Sequence, residues 1–169
     1  MAAAFDLVKA EIPSALLLVA GYCPVDMRRL TSHPEAVVQT GQVTQDRLVS
    51  CLGSCDLFWL PLRDTNANRG RWPHKLNDYM AMGRPTVATA VGDVTALFMG
   101  EDIGLLSPDR ARPFAARTIE LARDPDMRRR MGQRAREVAR DRFSWALLTD
   151  ELEDLYRDTI ARFANRKAH

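Results

Sequence analysis

The segment of the sequence best suited to chemistry is a polar stretch at residues 64–85, which reads DTNANRGRWPHKLNDYMAMGRP. Its first half has the composition of a loop, and it places Arg69 and Arg71 on either side of Gly70. Arginine carries a fixed fork of hydrogen-bond donors that matches phosphate and carboxylate groups. This half of the segment therefore predicts positive charge close to a site for an anion.

Pro73 marks the start of a helix that we expect at residues 73–82, because its missing N–H is no loss at the first helical position. The backbone N–H groups of His74, Lys75 and Leu76 should then be free at a helix N-terminus, which favours an anion. A cation such as Lys75 is mildly unfavourable there unless a phosphate or diphosphate is bound. The alternative is that the basic side chains of this segment simply point to water.

Asp78 lies three residues after Lys75, so the two side chains share one face of the predicted helix. A carboxylate one turn beyond a phosphate site can accept two hydrogen bonds from a vicinal diol, as acidic residues of dinucleotide folds do from ribose. The alternative interpretation is a Lys75–Asp78 surface ion pair, which contributes little.

Short apolar runs that end in Gly or Pro predict the elements that position this segment. They indicate buried strands at residues 14–21, 36–40, 56–62, 85–90 and 104–106. Helical segments separate them, and this alternation is typical of the α/β class: a Rossmann-like parallel sheet flanked by helices. Ligands of such sheets bind beyond the carboxyl ends of the strands, where residues 64–85 begin.

After residue 107 the pattern is helical, with helices predicted at 109–123, 126–142 and 144–163 and Ser144 as the N-cap of the last. Its apolar stripe favours core or interdomain packing over a helix that binds a separate partner. The arginines of residues 128–140 offer an anionic membrane surface as an alternative partner, but the acids among them favour a solvated face.

Several ordered stretches resemble the donor-binding part of family 4 glycosyltransferases of the GT-B fold. They are Lys75 to Pro85 with Thr86-Val87-Ala88-Thr89 and Gly92, Thr40-Gly41 with Val43, Asp56 to Pro61, and Phe143-Ser144-Trp145 with Tyr156. The resemblance runs from about Leu16 to Tyr156, and the ordered set is more specific than any single motif.

The resemblance implies transfer of a sugar, with retention of configuration, from a nucleotide-sugar such as a UDP- or GDP-sugar to a glycan, lipid or small-molecule acceptor. It implies no metal and no further cofactor. Asp78 would hold the ribose hydroxyls, and His74, Lys75 and Leu76 would hold the diphosphate. The loop at Gly41 and Val43 would lie beside the nucleobase.

Two departures from the family qualify these expectations. The first of the family's two glutamates falls at Gly70, so Asn68, Arg69 or Arg71 must handle the donor sugar differently, or sugar recognition is lost. The first strand of the donor domain and the whole N-terminal acceptor domain are expected to be missing.

The resemblance thus predicts a donor domain at 1–143, a helix at 144–163 that packs on it or toward the acceptor domain, and a tail at 164–169. Alone, this chain should transfer little or no sugar.

The chain has 169 residues, 46% hydrophobic and 27% charged, with a net charge of +2. This balance is typical of a soluble globular domain and argues against nucleic-acid binding. The three cysteines lack the spacing of metal ligands, so we expect them to be reduced thiols. No apolar run is long enough to cross a membrane, so we expect a cytoplasmic protein. Peripheral binding at the inner membrane face is the alternative. Two other functions stay open: a non-catalytic nucleotide- or anion-binding module, and a flavodoxin-like signalling domain.

Overall fold

The structure, a computed structural model, describes the backbone of residues 1–167 and the side chains of residues 1–163. Its strands are β1 (Leu17–Ala20), β2 (Val37–Gly41), β3 (Phe58–Leu60), β4 (Thr86–Thr89) and β5 (Gly104–Ser107). Its helices are α1 (Ala2–Glu11), α2 (Gln45–Gly53), α3 (Asn66–Arg69), α4 (Lys75–Ala81), α5 (Asp93–Gly100), α6 (Ala111–Arg123), α7 (Pro125–Arg142) and α8 (Trp145–Lys167).

All strand pairs in the described chain are parallel, which confirms the predicted α/β class. The strands form two hydrogen-bonded sheets, one of β1 and β2 and the other of β3, β4 and β5 in that order. Leu17 pairs with Val37 in the first sheet, and Thr86 lies between Phe58 and Gly104 in the second. The crossover connections between parallel strands carry the helices, as the alternating pattern predicted.

The core is deepest around β4, where all four residues are buried. Side chains alternate between the two faces of a strand. Val87 therefore packs with residues of α1 and α6, whereas its neighbour Ala88 packs with residues of α4, α5 and α7. Helices thus cover both faces of the three-stranded sheet, which is the layered arrangement that a Rossmann-like fold requires.

Helix α1 lies over the junction between the two sheets. Phe5 belongs to the apolar cluster of the two-stranded sheet, whereas Ala4 and Val8 belong to the cluster that contains Val87 of β4. Trp59 of β3 is packed against both clusters. Burial along α1 therefore connects two sheets that share no strand hydrogen bonds.

The helices differ from the prediction in four places, one of them α6, which begins at Ala111, two residues later than predicted. The loop after β3 contains the short helix α3, and α4 begins at Lys75, two residues later than Pro73 predicted. Helix α8 runs through most of the predicted tail to Lys167, and the last two residues lie outside the described chain. Ser144 Oγ accepts from Leu147 N at 3.4 Å, so the predicted N-cap of α8 is confirmed.

Candidate functional site

The polar segment leaves the sheet at the carboxyl end of β3, and a buried threonine fixes its point of departure. The Thr89 hydroxyl at the end of β4 accepts from Leu62 N at 2.7 Å and lies 2.7 Å from Leu62 O. The ends of two neighbouring strands are thereby joined just before the loop begins. The site segment therefore starts from a rigid edge of the three-stranded sheet.

Helix α3 uses several of the polar groups that the sequence offered to a ligand. Thr65 caps the helix through Asn68 N at 3.3 Å, and the Asn68 side chain donates to Arg63 O at 2.8 Å. The Arg69 guanidinium forms two hydrogen bonds with Asp64, at 2.6 and 2.8 Å. These bonds hold the pKa of the Asp64 carboxyl below its usual value. Asn68 and Arg69 are thus engaged within the loop, and Arg69 adds less net positive charge than the sequence suggested.

The loop between β4 and α5 packs directly on α3. Gly92 has φ +57°, and a Cβ at this position would lie 2.6 Å from Arg69 O. Glycine is required here for both the backbone conformation and the close approach. By contrast, a Cβ at Gly70 would meet Asn66 O at 3.6 Å, an ordinary contact, so position 70 can accommodate a side chain.

The turn before α4 contains two of the three free N–H groups that the sequence predicts. Leu76 N donates to Pro73 O at 2.8 Å, so the expectation of a free N–H at Leu76 was wrong, and its side chain is fully buried in the core. The reason is that Pro73 and His74 form a turn of their own before the helix begins. In the described chain, the N–H groups of His74 and Lys75 donate to no protein acceptor.

The side chains that line this turn on the outside are exposed and polar. Arg71, His74, Lys75 and Asp78 are all exposed. No ion pair within residues 1–163 links Lys75 to Asp78, and the Asp78 carboxylate accepts no hydrogen bond there. The surface-pair interpretation of these two residues is therefore not what the structure shows, and the carboxylate is open to a ligand.

Sequence reasoning missed the aromatic residue that holds this turn. The ring of Trp72 stacks on Phe143 with centroids 5.1 Å apart and 16° between the planes. Its indole N–H donates to Asn77 Oδ1 at 3.0 Å. The only sequence signal was a large aromatic residue inside a polar loop, and its partner is seventy-one positions away, counting from Trp72 to Phe143.

The loop after β2 lies at the carboxyl end of the other sheet. Gly21 N donates to Gly41 O at 3.1 Å and to Thr40 Oγ1 at 3.3 Å, and both glycines have positive φ. Gly41 is exposed and Val43 is half-buried. Among the described residues, no hydrogen bond or ion pair joins Gly41 or Val43 to the turn before α4.

Other charged and reactive groups are accounted for locally. Arginines of α7 pair with acids on the surface, among them Arg130 with Asp102 at 3.1 Å and Arg140 with Asp141 at 2.6 Å. The solvated-face interpretation of this helix is thereby favoured over a membrane surface. The three cysteines are free thiols. Among the described residues, no helix is long and apolar enough to span a membrane, and no group of His, Cys, Asp or Glu side chains is arranged to hold a metal ion.

Comparison with known proteins gives a family match over most of the chain. The family described as "Glycosyl transferases group 1" matches residues 1–124. N-acetyl-alpha-D-glucosaminyl L-malate synthase of Bacillus anthracis is 27% identical over 169 residues, covering 97% of this chain and 42% of that protein. D-inositol 3-phosphate glycosyltransferase of Saccharomonospora viridis is 38% identical over 84 residues, covering 49% of this chain and 19% of that protein.

Solved structures share the fold. Sucrose-phosphate synthase of Thermosynechococcus elongatus superposes with a TM-score of 0.78 at 24% identity, covering 95% of this chain and 42% of that one. Anabaena Alr3699/HepE, solved in complex with UDP and glucose, superposes with a TM-score of 0.72 at 15% identity, covering 91% of this chain and 44% of that one. The chain thus spans about two fifths of the length of the relatives that it matches along its whole length.

Proposed function

Since this chain belongs to the group 1 glycosyltransferases, we propose that it is the donor-binding half of a retaining glycosyltransferase, which takes a sugar from a nucleotide-sugar. The family match over residues 1–124 carries this proposal. The chain corresponds to 42% of the Bacillus anthracis relative. A second domain would then bind the acceptor, a glycan, lipid or small molecule, and close over the reacting groups. Enclosing two reactants in this way can lower the barrier by about 7–11 kcal/mol, so the donor half alone should transfer little sugar.

Asp78 is the residue that we assign to the ribose. Its carboxylate is exposed on the first turn of α4 and accepts no hydrogen bond from residues 1–163. A vicinal diol supplies two O–H donors that match the two oxygens of a carboxylate. Asp78 also occupies the position of the family's second glutamate, which has the same acceptor chemistry.

The diphosphate is assigned to the turn before α4. Arg71, His74 and Lys75 are exposed there, and the N–H groups of His74 and Lys75 have no protein acceptor among the described residues. Leu76 contributes only its position, because its N–H is already bonded to Pro73. A UDP or GDP diphosphate would bring the negative charge that this turn lacks. The base would then lie toward Gly41 and Val43 at the end of β2.

The sugar end of the donor is assigned to Arg71. Asn68 and Arg69 are engaged with Arg63 O and Asp64, whereas Arg71 forms no ion pair within the described chain. Gly70 leaves this part of the site without the carboxylate that the family uses. Recognition of the sugar should consequently differ from that of relatives with an acid at this position.

Helix α8 is assigned to the interface with the acceptor domain. Its apolar side chains face solvent, with Trp145 85% exposed and Ile160 70% exposed. A stripe of this size on one helix is unusual for a surface that stays in water. In the proposed enzyme, the second domain covers it.

A non-catalytic nucleotide-binding module is the alternative, and Gly70 is the observation that favours it. Isothermal titration of the chain with UDP, GDP and their glucose or mannose conjugates separates the two functions. The proposal predicts binding of one nucleoside diphosphate and tighter binding of its sugar conjugate. Binding of the bare nucleotide with no gain from the sugar would favour the module, and no binding of any of these ligands would contradict both.

The variant Gly70→Glu tests the same point from the other side. Position 70 has φ −96°, and the nearest atom to an added Cβ is 3.6 Å away, so the side chain fits. If the site is that of a transferase, Gly70→Glu should change the preference among nucleotide-sugars while leaving the affinity for the bare nucleotide unaltered. Gly53→Glu, at the exposed end of α2 with no atom within 4 Å of an added Cβ, is the matched control.

A further inference from the structure

Trp72 and Phe143 form an aromatic contact between the loop before α4 and the end of α7. Trp72 is half-buried in the loop before α4, and Phe143 is the residue that ends α7. Their rings are stacked at 5.1 Å, and offset stacks of this kind stabilise beyond the area that they bury. The stack joins the turn that we assign to the diphosphate to the C-terminal end of α7.

Phe143 is itself held from two sides. Its N–H donates to Ala139 O at 3.0 Å, and the Arg142 guanidinium lies over its ring, 5.7 Å from the centroid. Arg142 pairs with Glu101 at 2.9 Å, and the Glu101 side chain is only 14% exposed. Phe143 is therefore a fixed platform, positioned by the backbone of α7 and by an ion pair to the end of α5.

Trp72 also packs against the apolar core around Leu76 and Leu97, but one side of its ring borders a cavity. A cavity of about 380 Å³ lies beside the stack, lined by Leu97, Gly100, Arg142 and the two aromatic rings among others. Close packing is consequently missing on one side of the indole. Besides the stack, the directional contact of this side chain is its hydrogen bond to Asn77 Oδ1 at 3.0 Å.

From this geometry we propose that Trp72 is a positioning residue for the nucleotide site. Its ring is anchored on Phe143, and its N–H orients Asn77 in the first turn of α4. This places the backbone on both sides of Pro73, so that the N–H groups of His74 and Lys75 are available to the phosphates and Arg71 to the sugar. The inference rests on the proposed function, but the anchoring itself exists in the free protein and can be measured there.

The experiment compares Trp72→Leu, Trp72→Phe and Phe143→Leu with a control, Trp145→Phe, whose indole is 85% exposed on α8. Hydrogen exchange of the amides between Arg71 and Asp78 is followed in the free protein, with the amides of β4 as an internal reference. Titration with the nucleoside diphosphate that the wild-type chain binds best provides the second readout.

Trp72→Leu and Phe143→Leu should each accelerate exchange at residues 71–78 and weaken nucleotide binding by about threefold to tenfold, the value of an aromatic pair. Exchange in β4 should not change. Trp72→Phe keeps the stack and loses the indole N–H, so it should recover most of the affinity. Trp145→Phe should match the wild type in both readouts.

The proposal is overturned if exchange at residues 71–78 is the same in Trp72→Leu and in Trp145→Phe. It is also overturned if β4 exchanges faster to the same extent, because Trp72 would then support the fold in general. If the wild-type chain binds no nucleoside diphosphate, the proposed function fails, while the exchange measurement still decides whether Trp72 anchors the turn.

Discussion

The two sheets of this domain differ in how fully their strand residues are buried. In the three-stranded sheet, every residue of β4 is buried, and helices cover both faces. In the two-stranded sheet, Leu17 is the single buried residue of β1 and Val37 that of β2, and α2 contributes no buried residue. One part of the molecule is a packed core, and the other is a thin layer attached to it through α1.

The proposed nucleotide site is divided between these two parts. The turn before α4 and Asp78 belong to the packed part, whereas Gly41 and Val43 belong to the thin part. Residues on rigid elements hold a geometry better than residues on loosely packed ones. We therefore expect the diphosphate and ribose to be held at fixed positions, and the base to be held by an edge that can adjust.

The largest difference should appear when one core leucine is truncated in each part. Leu76 is fully buried among residues of three helices and two strands, so Leu76→Ala should lower the free energy of unfolding by about 2–5 kcal/mol. Leu17 is 9% exposed in a smaller cluster, so Leu17→Ala should lie at the bottom of that range or below it. Urea unfolding measures both, and equal losses would contradict the contrast between the two parts.

Two glycine-to-alanine substitutions, one in each part of the molecule, should have different effects on stability. A Cβ at Gly132 of α7 would lie 2.3 Å from Gly83 O, so Gly132→Ala must push α7 away from the end of α4. Overpacking of this kind destabilises by about 1–3 kcal/mol. Gly53, the last residue of α2, has no atom within 4 Å of an added Cβ. Gly53→Ala should leave stability unchanged or raise it by up to about 1 kcal/mol.

Thermal melting of the two glycine variants provides the test. A lower melting temperature for Gly132→Ala and an equal or higher one for Gly53→Ala are expected. If Gly132→Ala melts like the wild type, α4 and α7 are not in the close contact that positions the proposed site.

The smallest effect concerns the phenol of Tyr79, on the inner side of α4. Its ring stacks on Phe58 of β3 at 4.2 Å, and burial raises its pKa to about 12. The folded state therefore keeps the phenol protonated at pH values where an unfolded tyrosine, with a pKa of about 10, begins to ionise. Its contribution to stability is fully present below about pH 10 and is lost as the pH rises toward 12.

Ultraviolet titration of tyrosinate follows this ionisation. The wild-type protein should show a component near pH 12 that Tyr79→Phe lacks, and that component should move to lower pH when the protein is unfolded in urea. A titration curve that keeps its shape in Tyr79→Phe would mean that the phenol is not buried against β3.

The sequence predicted the regular elements better than it predicted the site. Strands such as β4 are apolar runs between glycine and proline, so local pattern alone locates the strand ends to within one to three residues. The turn at Pro73 and His74 depends on two short-range hydrogen bonds, from Leu76 N to Pro73 O and from Asn77 N to His74 O, and proline at the start of a helix does not specify them.

The remaining parts of the site depend on contacts between distant residues. The sequence makes Arg69 a candidate for binding a ligand, but its pairing with Asp64 depends on how α3 folds back on its own loop. The stack of Trp72 on Phe143 requires α7 to end beside the loop, which only the packed core determines. Residue type and spacing thus placed the polar segment at the end of β3, and tertiary packing decided which of its groups are already bonded within the described residues.

The central claim is that the turn before α4 and Asp78 bind a nucleoside diphosphate. The most direct measurement is the affinity of Asp78→Ala for that nucleotide by isothermal titration, with Asp46→Ala as control because Asp46 is also an exposed acid in the first turn of a helix. Loss of two hydrogen bonds to a carboxylate should weaken binding about tenfold or more in Asp78→Ala, with no change in Asp46→Ala. Equal affinities of Asp78→Ala and the wild type would contradict the account.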